Sequence, residues 1–185
     1  MARNCVYTIG HSTRSIDDFI HLLKFHGVQR VIDVRTLPRS RVNPQFDITR
    51  LPALLRAAHL HYTHLPGLGG LRRPHRDSQN TAWRNLSFRG YADHMQSANF
   101  KLSLERCLEL ASVERVALMC AEAVPWRCHR SLIGDALMVR GTEVLEIESH
   151  SLARPHTLTP FAHVEGIEIT YPGDRSTGAE SNTRR

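Results

Sequence analysis

Within eleven residues of this chain, Cys120, Glu122, Arg127, Cys128, His129 and Arg130 offer two thiols, a carboxylate, an imidazole and two guanidinium groups. That mixture supports three kinds of chemistry. A cysteine beside arginines and a helix N-terminus has a lowered pKa and can act as a nucleophile, with His11 as base or leaving-group acid. Arginines can instead hold phosphate while Glu122 or Asp33 accepts from a ribose hydroxyl or runs acid–base hydrolysis of a glycosidic bond. Soft metal ligation by Cys120, Cys128, His129 and His11 is the third, but the Cys-x₇-Cys-His spacing matches no standard zinc motif, and no metal site is assigned. A plainer account stands beside each. Cys120 can be a small apolar residue ending a strand, and Asp33–Arg35 and Glu122–Arg130 can be salt bridges that fix loops.

Residues of these types do chemistry only if a scaffold gathers them. Val116 to Met119 is an apolar run of the length of a buried parallel strand; it breaks at Pro125 and resumes at helical spacing with Leu132, Ile133, Ala136 and Leu137. In open α/β sheets, ligands lie outside the carboxyl ends of the strands, often at a helix N-terminus. Upstream, 5–9 reads as a first strand closing on Gly10, followed by His11 and Ser12. Ser15 caps a helix that stops at Gly27, and 28–34 is a second strand ending in Asp33-Val34-Arg35. Pro38 and Pro44 then shape a loop, 48–59 is helical and 60–65 is a third strand. After a long connection over 66–86 come helical pieces at 91–95 and 101–111, broken near Asn99. The helix after Cys120 runs to Val139, and a strand follows at 144–147. The pattern predicts a single α/β domain over 1–150, with a mostly parallel sheet of about five strands flanked by helices in Rossmann-like or flavodoxin-like layering. Residues 151–185 read as an extension, partly disordered, in which a short strand fits 167–171.

Charge narrows the partner. Ten arginines stand against Asp47 and Asp77 between Arg35 and Arg89, interleaved with Phe46, Tyr62, Trp83 and Phe88. Guanidinium groups bind phosphate bidentately and aromatic rings stack on bases, so a phosphate-bearing partner suits this segment; a solvated basic face suits it equally. Four cysteines and no leader sequence point to free thiols and a cytoplasmic location. No apolar stretch is long enough to cross a membrane. The dinucleotide fingerprint and the P-loop are both absent.

Several motifs together resemble one family. They are Tyr7-Thr8-Ile9-Gly10-His11-Ser12, Asp33-Val34-Arg35 with Pro38, Ser40, Arg41 and Pro44, and Leu68-Gly69-Gly70. Arg89-Gly90-Tyr91-Ala92, Cys120-Ala121-Glu122 and Pro125-x-x-Cys128-His129-Arg130 complete the series. In this order they are similar to the family catalogued as domain of unknown function 488, over about residues 5–148. The resemblance implies a compact α/β domain with these motifs gathered, and no activity. The thiol loop is similar in architecture only to those of rhodanese-like sulfurtransferases and cysteine phosphatases; six residues, not five, separate Cys120 from Arg127.

The expected function is binding of a phosphate-bearing ligand, nucleotide or nucleic acid, with thiol or acid–base catalysis by Cys120, Glu122, His11 and Asp33. Ser12, Arg35, Arg41, Arg127, Cys128, His129 and Arg130 would hold the ligand. No cofactor is assigned, and enzymatic activity stays open. The alternative is a non-enzymatic nucleic-acid-binding accessory protein whose Cys/His/Arg loop is structural.

Overall fold

The apolar run Val116–Cys120 forms strand β4, and all five of its residues are buried in the computed structural model, which describes residues 5–173. On one side β4 pairs with β1 (Cys5–Gly10), which pairs in turn with β5 (Glu143–Ile147); on the other it pairs with β2 (Arg30–Asp33), which pairs with β3 (His61–His64). All these pairings are parallel. A two-residue strand, β6 (Arg154–Pro155), adds antiparallel to β5 and completes the order β3-β2-β4-β1-β5-β6.

Burial on both faces explains why β4 reads as continuous apolar sequence rather than alternating. Ala117 and Met119 pack with Ile9, Val31 and Ile147 beneath α1 (Ile16–Phe25) and α2 (Leu51–Ala57), which contribute Phe19, Leu22, Leu23, Leu51 and Leu55. Val116 and Leu118 pack with Val6, Ile32 and Val144 on the other face. That face is covered by α3 (Leu86–His94), α4 (Ala98–Val113) and α5 (Arg130–Met138). Each fully buried aliphatic side chain contributes about 1.5–3 kcal/mol. Crossovers that carry the chain toward β3 cover one face and those that carry it back cover the other, as a single handedness requires.

Local signals set most boundaries. Ser15 caps α1 by accepting from Asp18 N–H at 3.1 Å, and Gly27 leaves that helix at φ +66°. The break between α3 and α4 lies at 95–97 rather than near Asn99, because the Ser97 hydroxyl caps α4 by accepting from Phe100 N–H. Helix α3 also starts five residues earlier than its apolar spacing suggests, capped by Asn85.

The extension beyond residue 150 is largely exposed but anchored to the domain where it is described. Besides β6 it forms a hairpin of β7 (His163–Glu165) and β8 (Glu168–Thr170), and Ile169 and Tyr171 are buried in the main core. The short strand expected over 167–171 is β8; β6 and β7, of two and three residues, carry too little periodicity to be read from sequence. The residues expected to be disordered, 174–185, lie outside the described residues.

Candidate functional site

Strand order reverses between β1 and β4: the chain leaves β1 toward β2 and leaves β4 toward β5. A crevice at the carboxyl ends of two such strands is where ligands bind in open α/β sheets. Backbone hydrogen bonds continue past the sheet here. His11 N–H donates to Cys120 O and Ser12 N–H to Ala121 O, both at 2.9 Å, and Val34 N–H donates to Met119 O at 3.0 Å. Gly10 makes the approach feasible, since a methyl group at its position would collide with the Glu122 carbonyl.

Asp33 ends β2 with no solvent exposure. Its Oδ1 accepts from Arg35 N–H (3.1 Å) and Nε (2.9 Å), and its Oδ2 from Arg35 Nη2 (2.6 Å) and the Tyr62 hydroxyl (2.8 Å). Arg35 further donates to Phe46 O at 2.8 Å. The salt-bridge account of this pair therefore describes what is seen. His11 lies on the other side of Arg35, stacked on Phe46 with ring centres 4.1 Å apart. Its Nδ1 faces Ser12 O at 2.9 Å; a carbonyl only accepts, so Nδ1 carries the proton and Nε2 accepts from Arg35 Nη1 at 3.3 Å. Burial first, and the Arg35 charge with it, outweigh the Ser12 hydrogen bond and lower the His11 pKa to about 4, so the ring is neutral.

The loop after β4 gathers the sulfur chemistry. Pro125 is buried and begins a 3₁₀ turn through Arg127, which returns the chain so that Cys128 and the start of α5 lie against Cys120. One ligand atom from each of Cys120, Cys128 and His129 lies within 4.8 Å of the others. His129 Nε2 donates to Val34 O at 3.1 Å, which leaves Nδ1 facing Cys128 Sγ at 3.7 Å. The ring packs against Tyr91, whose hydroxyl is fixed on Leu68 O at 2.7 Å. Arg130 is 1% exposed; its Nε donates to Cys128 Sγ at 3.4 Å and its Nη2 to Glu122 O at 2.6 Å. Among the described residues no carboxylate forms an ion pair with Arg130. Hydrogen bonding from Cys120, then the His129 and Arg130 contacts, hold the Cys128 thiol well below its usual range despite burial. Donating that hydrogen bond, together with burial, pushes the Cys120 thiol up.

Beside this cluster opens a cavity of about 570 Å³. His11, Ser12, Arg35, Cys120, Glu122 and His129 border it. Asp33, Cys128 and Arg130 are buried and are not among its lining residues, and Arg41 and Arg127 are exposed away from it. Glu122 is exposed and meets Arg130 through its backbone carbonyl, so the expected Glu122–Arg130 salt bridge does not form. The remaining polar wall is Thr13, Thr36, Arg39, Ser40 and Asn43, of which only Ser40 belongs to the motifs quoted from sequence and none to the expected site residues. The signal was present, because in a parallel sheet the reasoning that places Arg35 at this edge extends to the Pro38–Pro44 loop that follows it. Two lining residues, Ser12 (φ 47°) and Leu71 (φ 60°), hold left-handed backbone conformations that non-glycine residues seldom adopt. Such strain is concentrated at ligand sites.

A family model described as "Domain of unknown function DUF488" matches residues 15–137, from the cap of α1 to the last turn of α5. His11 and Ser12, just after β1, lie outside that span. No curated protein and no solved structure matches the chain.

Proposed function

The chain belongs to the family described as Domain of unknown function DUF488; because that membership carries no activity, we propose from the site itself that the protein binds a phosphate-bearing ligand of nucleotide size in the switch-point cavity. The cavity carries the reading. At about 570 Å³ it falls within the roughly 300–1,000 Å³ of small-molecule sites. Hydroxyl groups of Ser12, Thr13 and Ser40, the Asn43 amide and the exposed Arg39 offer donors on its wall, while the Thr36 hydroxyl is spent on Gly70 O. Arg35 shapes the wall rather than binding directly, since Asp33 balances its charge and, with Phe46 O and His11, occupies its guanidinium.

Any chemistry on such a ligand falls to the groups that border the cavity: Cys120, His129 and Glu122. His11 serves as an anchor, with both ring nitrogens engaged. The four cysteines are free thiols, which suits a reducing cytoplasm. No helix among the described residues is long and apolar enough to cross a membrane.

Calorimetric titration with adenosine and guanosine monophosphates and diphosphates tests the reading. Binding is expected, and Arg39→Ala should weaken it about 10- to 150-fold, the loss of one charge-assisted hydrogen bond worth ~1.5–3 kcal/mol. Failure of every nucleotide to bind at millimolar concentration sinks the proposal.

A second reading has its own observation. Arg39, Arg41, Arg50, Arg56, Arg73, Arg76 and Arg84 are all exposed, a cationic surface that suits an RNA or DNA backbone. A nucleic-acid accessory protein would bind oligonucleotides with a steep salt dependence, unaltered by Cys120→Ser. A flat salt dependence would exclude it.

A further inference from the structure

We propose that Cys120, Cys128 and His129 form a site for a divalent d-block ion of zinc-like softness, with the remaining coordination position turned toward the cavity. Two sulfurs and an imidazole nitrogen lie within 4.8 Å of one another. An ion at ~2.3 Å from sulfur and ~2.0–2.1 Å from nitrogen spans such a group, and two thiolates with an imidazole are a donor set that selects zinc-like ions over magnesium or calcium. Cys128 Sγ and His129 Nδ1 stand 3.7 Å apart, the separation that tetrahedral coordination to one ion requires within a few tenths of an ångström.

The surroundings support ligation independently of that distance. The Nε2–H of His129 is fixed on Val34 O. A ligating histidine characteristically donates its other N–H to a backbone carbonyl, which fixes the tautomer and aims the free nitrogen at the ion. Tyr91 packs on the ring and Gly70 leaves it room. Arg130 donates to Cys128 Sγ, the kind of hydrogen bond that orients a ligating sulfur.

Cys120 and His129 border the cavity while Cys128 lies behind them, so a fourth ligand comes from the cavity side. Water or an anionic oxygen fits there. Two thiolates balance a divalent ion, and the buried Arg130 then leaves one net positive charge behind the cavity wall. The motif-spacing rule that argued against a metal compares paired ligands in zinc ribbons; here the Pro125–Arg127 turn folds one distant cysteine onto an adjacent Cys-His pair.

The test uses the full chain, reduced and stripped with a chelator, and Zn²⁺ alone as probe against a competing chromophoric chelator. One ion per chain is expected, with Cys128→Ser and His129→Ala each weakening it at least about 10- to 100-fold and Cys5→Ser leaving it unchanged. The same protein loaded with Co²⁺ should show thiolate-to-metal charge-transfer absorption. That spectrum keeps the test decisive if Cys128→Ser does not fold. Absence of the charge-transfer band, or Zn²⁺ affinity equal in the parent and in the folded Cys120→Ser/Cys128→Ser variant, overturns the site. Nucleotide binding is measured on metal-free protein, so the failure of either proposal is distinguishable from failure of the other.

Discussion

Replacing Asp33 by asparagine removes the charge that Arg35 faces while nearly preserving shape. The native carboxylate is fully buried and accepts four hydrogen bonds, three from Arg35 and one from Tyr62. In Asp33→Asn, a side chain that kept its oxygen toward Arg35 N–H and Nε would turn an NH₂ group toward Arg35 Nη2, donor against donor. The guanidinium cannot escape readily, because Arg35 is 7% exposed and bonded to Phe46 O. Breaking a buried pair by neutralising one partner costs about 3–5 kcal/mol, chiefly for the charge left uncompensated. Against a total stability of ~5–15 kcal/mol, the variant should fold with a much lower urea midpoint and an unchanged m-value. Arg35→Met in the same background should recover at least ~2 kcal/mol, since the double variant buries no lone charge. Urea unfolding at pH 7 of the parent, both single variants and the double variant supplies the full cycle. Additive losses, or a cost for Asp33→Asn below ~1 kcal/mol, would refute the reading of Asp33 and Arg35 as a buried, mutually dependent ion pair.

Two further predictions concern other groups. Burial opposes the charge on His156, but hydrogen bonds and charges from Asp135 and Glu146 outweigh it and raise its pKa to about 9. Asp135 also accepts from Tyr171 OH and Thr159 N–H, and Arg154 pairs with Glu146, so these groups frame the whole response. With the folded pKa above the ordinary value of about 6.5, the stabilisation is complete below that pH and lost as pH rises through 9. It amounts to at most ~3 kcal/mol at ~1.4 kcal/mol per pKa unit. Urea midpoints should therefore fall more between pH 6 and pH 10 for the parent than for His156→Gln; equal falls would dismiss the clamp. Gly70→Ala places a methyl group 2.9 Å from His129 Nδ1, so the ring must shift. Zn²⁺ affinity should drop about tenfold with a stability loss of ~1–3 kcal/mol, and unchanged values for both would show that the ring position is not controlled by Gly70.

Sequence logic reached the frame because its signals were local and redundant. The run at 116–119, the spacing of Leu132, Ile133, Ala136 and Leu137, and the caps Ser15 and Gly27 each dictate one element, and strand ends of a parallel sheet must share an edge. Direction along a loop is not dictated in this way. Arg41 and Arg127 were expected in the site on proximity in sequence, yet they are exposed away from the cavity, while Arg39, two residues from Arg41, lines it. Arg130 carries the same label as Arg127 in sequence but begins α5 and turns inward. The His156 network is not legible in sequence, since Asp135 lies in α5, Glu146 in β5 and Tyr171 just past β8, and no local pattern links them.

The strand order has a consequence for how the chain reaches this structure. Strand β1 is the first element of the described chain, yet both of its neighbours come late: Val6 pairs with Val116 and with Val144. Only β2 and β3 find each other early, through the register Arg30–His61. The long-range closure entropy of the sheet must therefore be met before most of its contacts form, which marks a slow folder with high contact order. A nascent or truncated chain ending before β4 would leave β1 with no partner on either edge, an unpaired apolar strand of the kind that seeds aggregation. The span 15–137 that the family model matches omits β1 and β5, so a fragment cut to those residues would leave one edge of β4 without its partner.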